Sequence, residues 1–214
     1  MMLNIILMTG IVITYCTEEL FKAMYESFRF FYPGIKLIIV DGSPSYDPCY
    51  KYVSSLKNNL NTIYQLEKNI GHGPGLHYAI QKTDDEQLLI MDSDIEILSD
   101  PLPEMLKLLK NNIYAVGEID KVGANGLRSN PVRNIPFVQP YFMLMNRSQY
   151  YKYHRFIHHG TPSYKAMVQL WKEGLSDEKL QSFPVSRYVH HCWGGTRAIN
   201  KKNKLAEIPG QWEK

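Results

Sequence analysis

The chain has 214 residues, 44% apolar and 21% charged, enough for one well-buried core and unlike a disordered segment. A net charge of +3 with no basic stripe argues against a nucleic-acid partner. Three widely spaced cysteines (Cys16, Cys49, Cys192) without a CxxC pair argue against a disulfide scaffold, and no apolar run is long enough to span a bilayer. Met1 to Cys16 is apolar but has no basic n-region and no small-residue cleavage site, so a soluble protein of a reducing, cytoplasmic compartment is expected.

Residues 3 to 15 form one or two β-rich runs broken at Gly10, with the unalternating apolarity of a strand buried on both faces. Thr17 is placed to cap a helix whose first turn holds Glu18 and Glu19, and Leu20, Phe21, Met24 and Phe28 recur at helical spacing up to Pro33-Gly34. Ile35 to Val40 is a second strand, ending at Asp41-Gly42-Ser43. Asp47-Pro48 opens a helix with Val53, Leu56 and Leu60 inward, and Thr62 to Leu66 is a third strand. Gly71 to Gly75 is a glycine-rich turn into a short helix with Leu76, Ala79 and Ile80. Gln87 to Met91 is a fourth strand that runs straight into Asp92-Ser93-Asp94. Asp100-Pro101 starts another helix, and Ile113 to Val116 is a fifth strand.

This β-α alternation predicts an α/β fold with a parallel sheet, helices on both faces and ligands beyond the carboxyl ends of the strands. Tyr15, Asp41, Gly71 and Asp92 all fall at those ends. The second half differs. Lys121 to Pro140 is a long loop-like stretch, Tyr141 to Met145 a strand, Ser163 the cap of a helix ending at Gly174, and Phe183 to Val189 a last strand. One domain is expected over 1–214, with a nucleotide-binding half (1–115) and a smaller acceptor-side half (116–214).

An apolar strand ending in Asp-x-Asp puts two carboxylates at the ligand edge, facing the same way if the strand continues through them. Such a pair suits Mn²⁺ or Mg²⁺ bridging a substrate's phosphates; the bland alternative is a surface loop with two acids. His190-His191 stands before a glycine-containing segment, and alternation should turn only one of the pair inward, which favours His191 as a third ligand acceptable to Mn²⁺. A zinc site using His158, His159, His190, His191 and Cys192 matches no zinc spacing. Gly71, Gly73 and Gly75 do not have the spacing of the dinucleotide-binding fingerprint.

The blocks at 11–28 (IVITYCTEELFKAMYESF), 37–43 (LIIVDGS), 67–80 (EKNIGHGPGLHYAI) and 87–98 (QLLIMDSDIEIL) resemble, in order and spacing, those of GT-A glycosyltransferases close to family 2. The resemblance covers about half the chain. It implies a GT-A, Rossmann-like, mostly parallel sheet and transfer of a hexose-type sugar from a nucleotide-sugar donor, commonly UDP-linked, to a hydroxyl of a glycan or glycoprotein. Carried over, Thr14, Tyr15 and Cys16 meet the nucleoside, although the family typically has asparagine where Cys16 stands. Asp41 accepts from the uracil imide. Asn69, Gly71, His72 and Gly73 approach the nucleotide and diphosphate, with Ser93 between the two acids. Asp92 contacts ribose or metal, and Asp94 is the principal metal ligand. Arg197 is placed to neutralise the diphosphate.

The family's usual Glu-Asp pair for deprotonating the acceptor falls here on His159-Gly160-Thr161-Pro162-Ser163, which has no carboxylate. Glu118, Asp120 and either His158 or His159 are the alternative bases. A GT-A-like nucleotidyltransferase would want a basic, glycine-rich loop after the first strand, where this chain has the acidic Glu18-Glu19, and a non-catalytic sugar-nucleotide-binding module is a further alternative. Tyr141, Phe142, Tyr150, Tyr151, Tyr153 and Trp193 are either core or an acceptor platform. The layout also suits one module of a longer protein.

Overall fold

A computed structural model describes residues 8–123, 132, 134–157, 161–192 and 194. His158, His159, Trp193 and Arg197 lie outside them.

The first strand, β1 (Met8–Thr14), is followed by α1 (Glu18–Phe31), β2 (Lys36–Asp41), α2 (Pro48–Ser55), β3 (Asn61–Gln65), α3 (His72–Ile80) and β4 (Gln87–Asp92). Then come β5 (Ile95–Ile97), α4 (Leu102–Leu108), β6 (Ala115–Gly117), β7 (Ile119–Val122), β8 (Ile135–Val138) and β9 (Phe142–Asn146). The remainder is α5 (Arg147–Tyr150), α6 (Tyr164–Lys172), α7 (Ser176–Lys179), β10 (Leu180–Ser182), a 3-10 turn at Val185–Arg187 and β11 (Val189–His191).

Seven strands form one sheet in the order β10-β6-β9-β4-β1-β2-β3. The pairs β1/β2, β1/β4, β2/β3 and β6/β10 are parallel, and β9 runs antiparallel to both β4 and β6. Both faces are covered, as expected for strands that are apolar at nearly every position. On one face Val12, Leu89 and Met91 pack with Phe21, Met24 and Phe28 of α1, Val53 of α2 and Met105 of α4. On the other, Ile11, Leu88 and Ile90 pack with Leu76, Ala79 and Ile80 of α3 and Met167 and Leu170 of α6. No helix among the described residues is long and apolar enough to cross a membrane.

Several local expectations need correction. Gly10 does not break the first strand: β1 runs through it, because a Cβ there would lie 3.0 Å from Leu37 and 3.1 Å from the Phe28 ring, so glycine serves close packing of α1. Thr17 occupies the cap position of α1 without a side-chain cap; its hydroxyl instead lies 3.2 Å from that of Thr14. Asp47 does cap α2, its Oδ1 accepting from the Cys49 N–H at 2.8 Å. Gly73 and Gly75 are within α3 rather than in a turn, and only Gly71 needs a positive φ, at 87°. The stretch 183–189 is not a strand: Pro184 and the 3-10 turn separate β10 from β11, which belong to different sheets.

Candidate metal and nucleotide site

Parallel register brings the ends of three strands together. Thr14 pairs with Asp41, Asp41 with Gln65, and Ile13 with Asp92. Strand β4 stops at Asp92, and Ser93-Asp94 is a turn into β5, so the two carboxylates are not aligned by one continuous strand. What fixes Asp94 is the short antiparallel ladder of β5 with β11, in which His191 pairs with Ile95 and the Cys192 N–H donates to the Asp94 carbonyl at 2.9 Å. His190 faces solvent, while the His191 side chain turns inward.

His191 Nε2 lies 3.1 Å from Asp94 Oδ1 and 3.5 Å from Asp92 Oδ2. One ligand atom from each of Asp92, Asp94 and His191 lies within 4.8 Å of the others. Two ligands across a single Mg²⁺ or Ca²⁺ ion are about 4 to 5 Å apart, so this spacing suits one cation. Two carboxylate oxygens and one imidazole nitrogen are a donor set that Mn²⁺ accepts. The fit has a further mark. Asp92 Oδ1 is shut off from solvent and accepts no hydrogen bond; His72 Nε2, at the first turn of α3, is 3.3 Å away. Burial pushes the Asp92 carboxyl above its ordinary value, opposed by His72 and reinforced by Asp94. A cation there would relieve that penalty.

Asp41 is fully buried; its Oδ1 accepts from the Ser43 N–H at 2.9 Å and its Oδ2 from Gln65 Nε2 at 3.4 Å. Burial is the main cause of a raised Asp41 pKa, and the bond from Ser43 works against it. Cys16 takes φ 52°, where asparagine or glycine is commoner, and its N–H donates to Ser43 Oγ at 2.8 Å. Its thiol is pushed up to about 12 by burial and then by Asp47, which keeps it protonated. Asn69 Oδ1 accepts from the Gly71 N–H at 2.9 Å, forming the turn that opens α3. Gly42 lies directly under this turn: a Cβ on it would be 2.9 Å from the Lys68 carbonyl and 3.1 Å from Asn69 Cα.

Glu118, just past β6, is engaged at both oxygens. Its Oε2 accepts from Tyr141 Oη at 2.5 Å and from the Ser186 N–H at 2.9 Å, and its Oε1 from Ser186 Oγ at 3.1 Å. Asp120 Oδ1 accepts from the Lys121 N–H at 2.7 Å, and its Oδ2 from Gln139 Nε2 at 3.4 Å. Of the aromatic residues considered for an acceptor platform, Tyr141, Phe142 and Tyr150 are buried, and Tyr151 is exposed. Tyr141 is nevertheless a site residue that sequence reasoning left between core and platform. Its ring stacks on His191 and its carbonyl accepts from the Asp92 N–H at 3.0 Å. No short-range pattern marks it, because its partners Glu118, Asp92 and His191 lie 23, 49 and 50 residues away along the chain.

The sequence model "Glycosyl transferase family 2" matches residues 10–171. No curated protein sequence matches. Among solved structures, a mannosyltransferase from Pyrobaculum calidifontis in complex with GDP-Man and Mn²⁺ is similar, with TM-score 0.61 and 16% identity, over 97% of this chain and 67% of that one. TarS 1-349 from S. aureus in complex with UDP-GlcNAc gives 0.59 and 15%, over 94% of this chain and 67% of that one. GalNAc-T7 with UDP, GalNAc and Mn²⁺ gives 0.60 and 11%, over 85% of this chain and 43% of that one. The chain therefore spans between about two fifths and two thirds of these proteins, and at such identities what is shared is the fold.

Proposed function

The chain belongs to glycosyl transferase family 2, and from that membership we propose that it transfers a sugar from a nucleoside-diphosphate donor, with UDP as the carrier and a glycan or glycoprotein hydroxyl as acceptor. The observation that carries this reading is the convergence of Asp92, Asp94 and His191 at the carboxyl end of β4, beside the start of α3. Asp92, Asp94 and His191 would hold Mn²⁺ or Mg²⁺ there, and the bound ion would supply a Lewis acid for the charge on the departing diphosphate. Three neighbours of the same fold carry GDP-Man, UDP-GlcNAc or UDP with sugar, two of them with Mn²⁺, which supports the donor class.

In this reading Asp94, Asp92 and His191 hold the cation, and His72 and Gly73 at the start of α3 face the diphosphate with Ser93. Thr14, Tyr15 and Cys16 border the nucleoside, and Arg197 adds positive charge. Of the acceptor bases that the sequence offers, Glu118 accepts from Tyr141 and Ser186 and Asp120 from Lys121 and Gln139; one of these carboxylates or a histidine at 158–159 would take the acceptor proton. Residues 1–115 would form the donor half and 116–214 the acceptor half. A thermal-shift series tests the whole reading. UDP and UDP-sugars should raise the melting temperature by several degrees with Mn²⁺ and far less in EDTA, since only ligands of the native state stabilise it. No shift with any nucleoside diphosphate in Mn²⁺ would remove it.

Asp41 gives a sharper test. To meet a uracil N–H, its carboxylate must exchange Gln65 for the base. Asp41→Asn should weaken UDP binding by about tenfold or more, the usual cost of losing a bond to a charged group. Its effect on the empty protein has the opposite sign. The folded pKa is raised above the ordinary 3.8, so the fold is most stable below 3.8 and loses stability as pH rises through the raised folded value. Ionised wild type carries that penalty and the amide does not, so the melting temperature of the variant should be no lower. Calorimetry and a melting curve at pH 7 decide: unchanged UDP affinity in a folded variant takes Asp41 out of the base site.

A further inference from the structure

The groups that hold His191 lie outside the ligand set. The Tyr141 ring lies flat against the His191 imidazole, with centroids 5.0 Å apart and planes 6° from parallel. Glu118 holds the Tyr141 hydroxyl at 2.5 Å, a short charge-assisted bond. The same carboxylate accepts from both the N–H and the hydroxyl of Ser186, in the 3-10 turn that leads into β11. One side chain thus fixes the surface on which the imidazole rests and the segment that delivers it. The Tyr141 carbonyl meanwhile accepts from the Asp92 N–H at 3.0 Å, which ties the stacking residue to a second ligand.

We propose that Glu118, acting through Tyr141 and Ser186, is a positioning residue that aims the His191 imidazole at the cation and so sets the affinity of the site. An imidazole ligand must present one nitrogen lone pair in one direction, and an unrestrained ring loses rotational freedom on binding. Stacking fixes the ring plane in advance, and groups one step removed from a metal commonly change its affinity 10- to 100-fold. Tyr141 and Ser186 acquire a purpose in this way, and Glu118 is assigned a role that needs no contact with the acceptor. The inference rests on the cation reading above.

Mn²⁺ binding to the full chain without nucleotide, followed by electron paramagnetic resonance of the free ion, separates the two. Wild type should bind Mn²⁺ and Asp94→Ala should not. If wild type binds none, or Asp94→Ala binds equally well, the cation site itself is wrong and the proposal falls with it. Given that site, Glu118→Ala and Tyr141→Leu should raise the Mn²⁺ Kd by about tenfold or more. Glu118→Gln, which keeps an acceptor oxygen, should recover most of the loss, and Tyr141→Phe, which keeps the ring, should fall between. A purely structural role would lower the melting temperature and leave Kd of the folded protein unchanged, and that result overturns the proposal. Should Glu118→Ala not fold, Tyr141→Phe decides by itself: a Kd several-fold above wild type supports the assignment, and a wild-type Kd refutes it.

Discussion

Asp94→Ala should reduce UDP affinity in Mn²⁺ by about 100-fold, to the level that wild type shows in EDTA. Asp94 is nearly buried, and its Oδ1 is the closest carboxylate oxygen to His191 Nε2, at 3.1 Å. Removing it would take away one of the two proposed anionic ligands and leave only Asp92 and His191 of the three groups that converge here. A carboxylate that bridges protein to a divalent ion contributes through charge, so Asp94→Asn, with nearly the same shape, should lose almost as much. Isothermal calorimetry with UDP, run on both variants with Mn²⁺ and with EDTA, reads this directly. A folded Asp94→Ala that binds UDP as wild type does in Mn²⁺ would place the nucleotide elsewhere.

Gly42→Ala should cost about 1 to 3 kcal/mol of stability, the range for forcing a methyl group into a packed site, and should also weaken UDP binding. The added Cβ would meet backbone on the opposing segment, the Lys68 carbonyl and Asn69 Cα, which cannot swing aside as a side-chain tip can. That segment leads through the Asn69-to-Gly71 turn into His72, which faces Asp92. Strain at Gly42 is therefore passed to the start of α3. Urea unfolding measures the first effect and calorimetry the second. At Gly34, where a Cβ meets nothing within 4 Å, the same substitution should change neither. Equal behaviour of the two variants would contradict the steric account.

The parallel run from β1 to β4 was legible because its signals are local. Apolar runs such as Leu88-Leu89-Ile90-Met91 ending in acids, the Asp47-Pro48 cap and the α1 face of Phe21, Met24 and Phe28 all act within a few residues, and the structure has them where the sequence puts them. The direction of β9 was not legible. Phe142 to Asn146 is buried at every position, so its pattern says strand and nothing about which way it runs between β4 and β6. Alternation did single out the inward member of the His190-His191 pair, yet its strand partner, Ile95, is set by tertiary packing. The acid pair was found through the assumption of a continuing strand, whereas a turn at Ser93-Asp94 brings the two together. Glu118 is a candidate base because a carboxylate at a strand end invites that reading. Its bonds to Tyr141 and Ser186 join three separate parts of the chain and leave no periodic trace.

Only three residue pairs join β11 to β5, and the contact between His191 and Asp94 closes a loop of 97 residues. The entropy lost in closing a loop rises by only about 0.6 kcal/mol for each doubling of its length, so a clasp across so long a stretch is scarcely harder to shut than one across half as much. An ion at this seam would be a fastener as well as a reagent, joining β11 to the carboxyl end of β4. Whatever empties the clasp would also loosen the short ladder that carries His191.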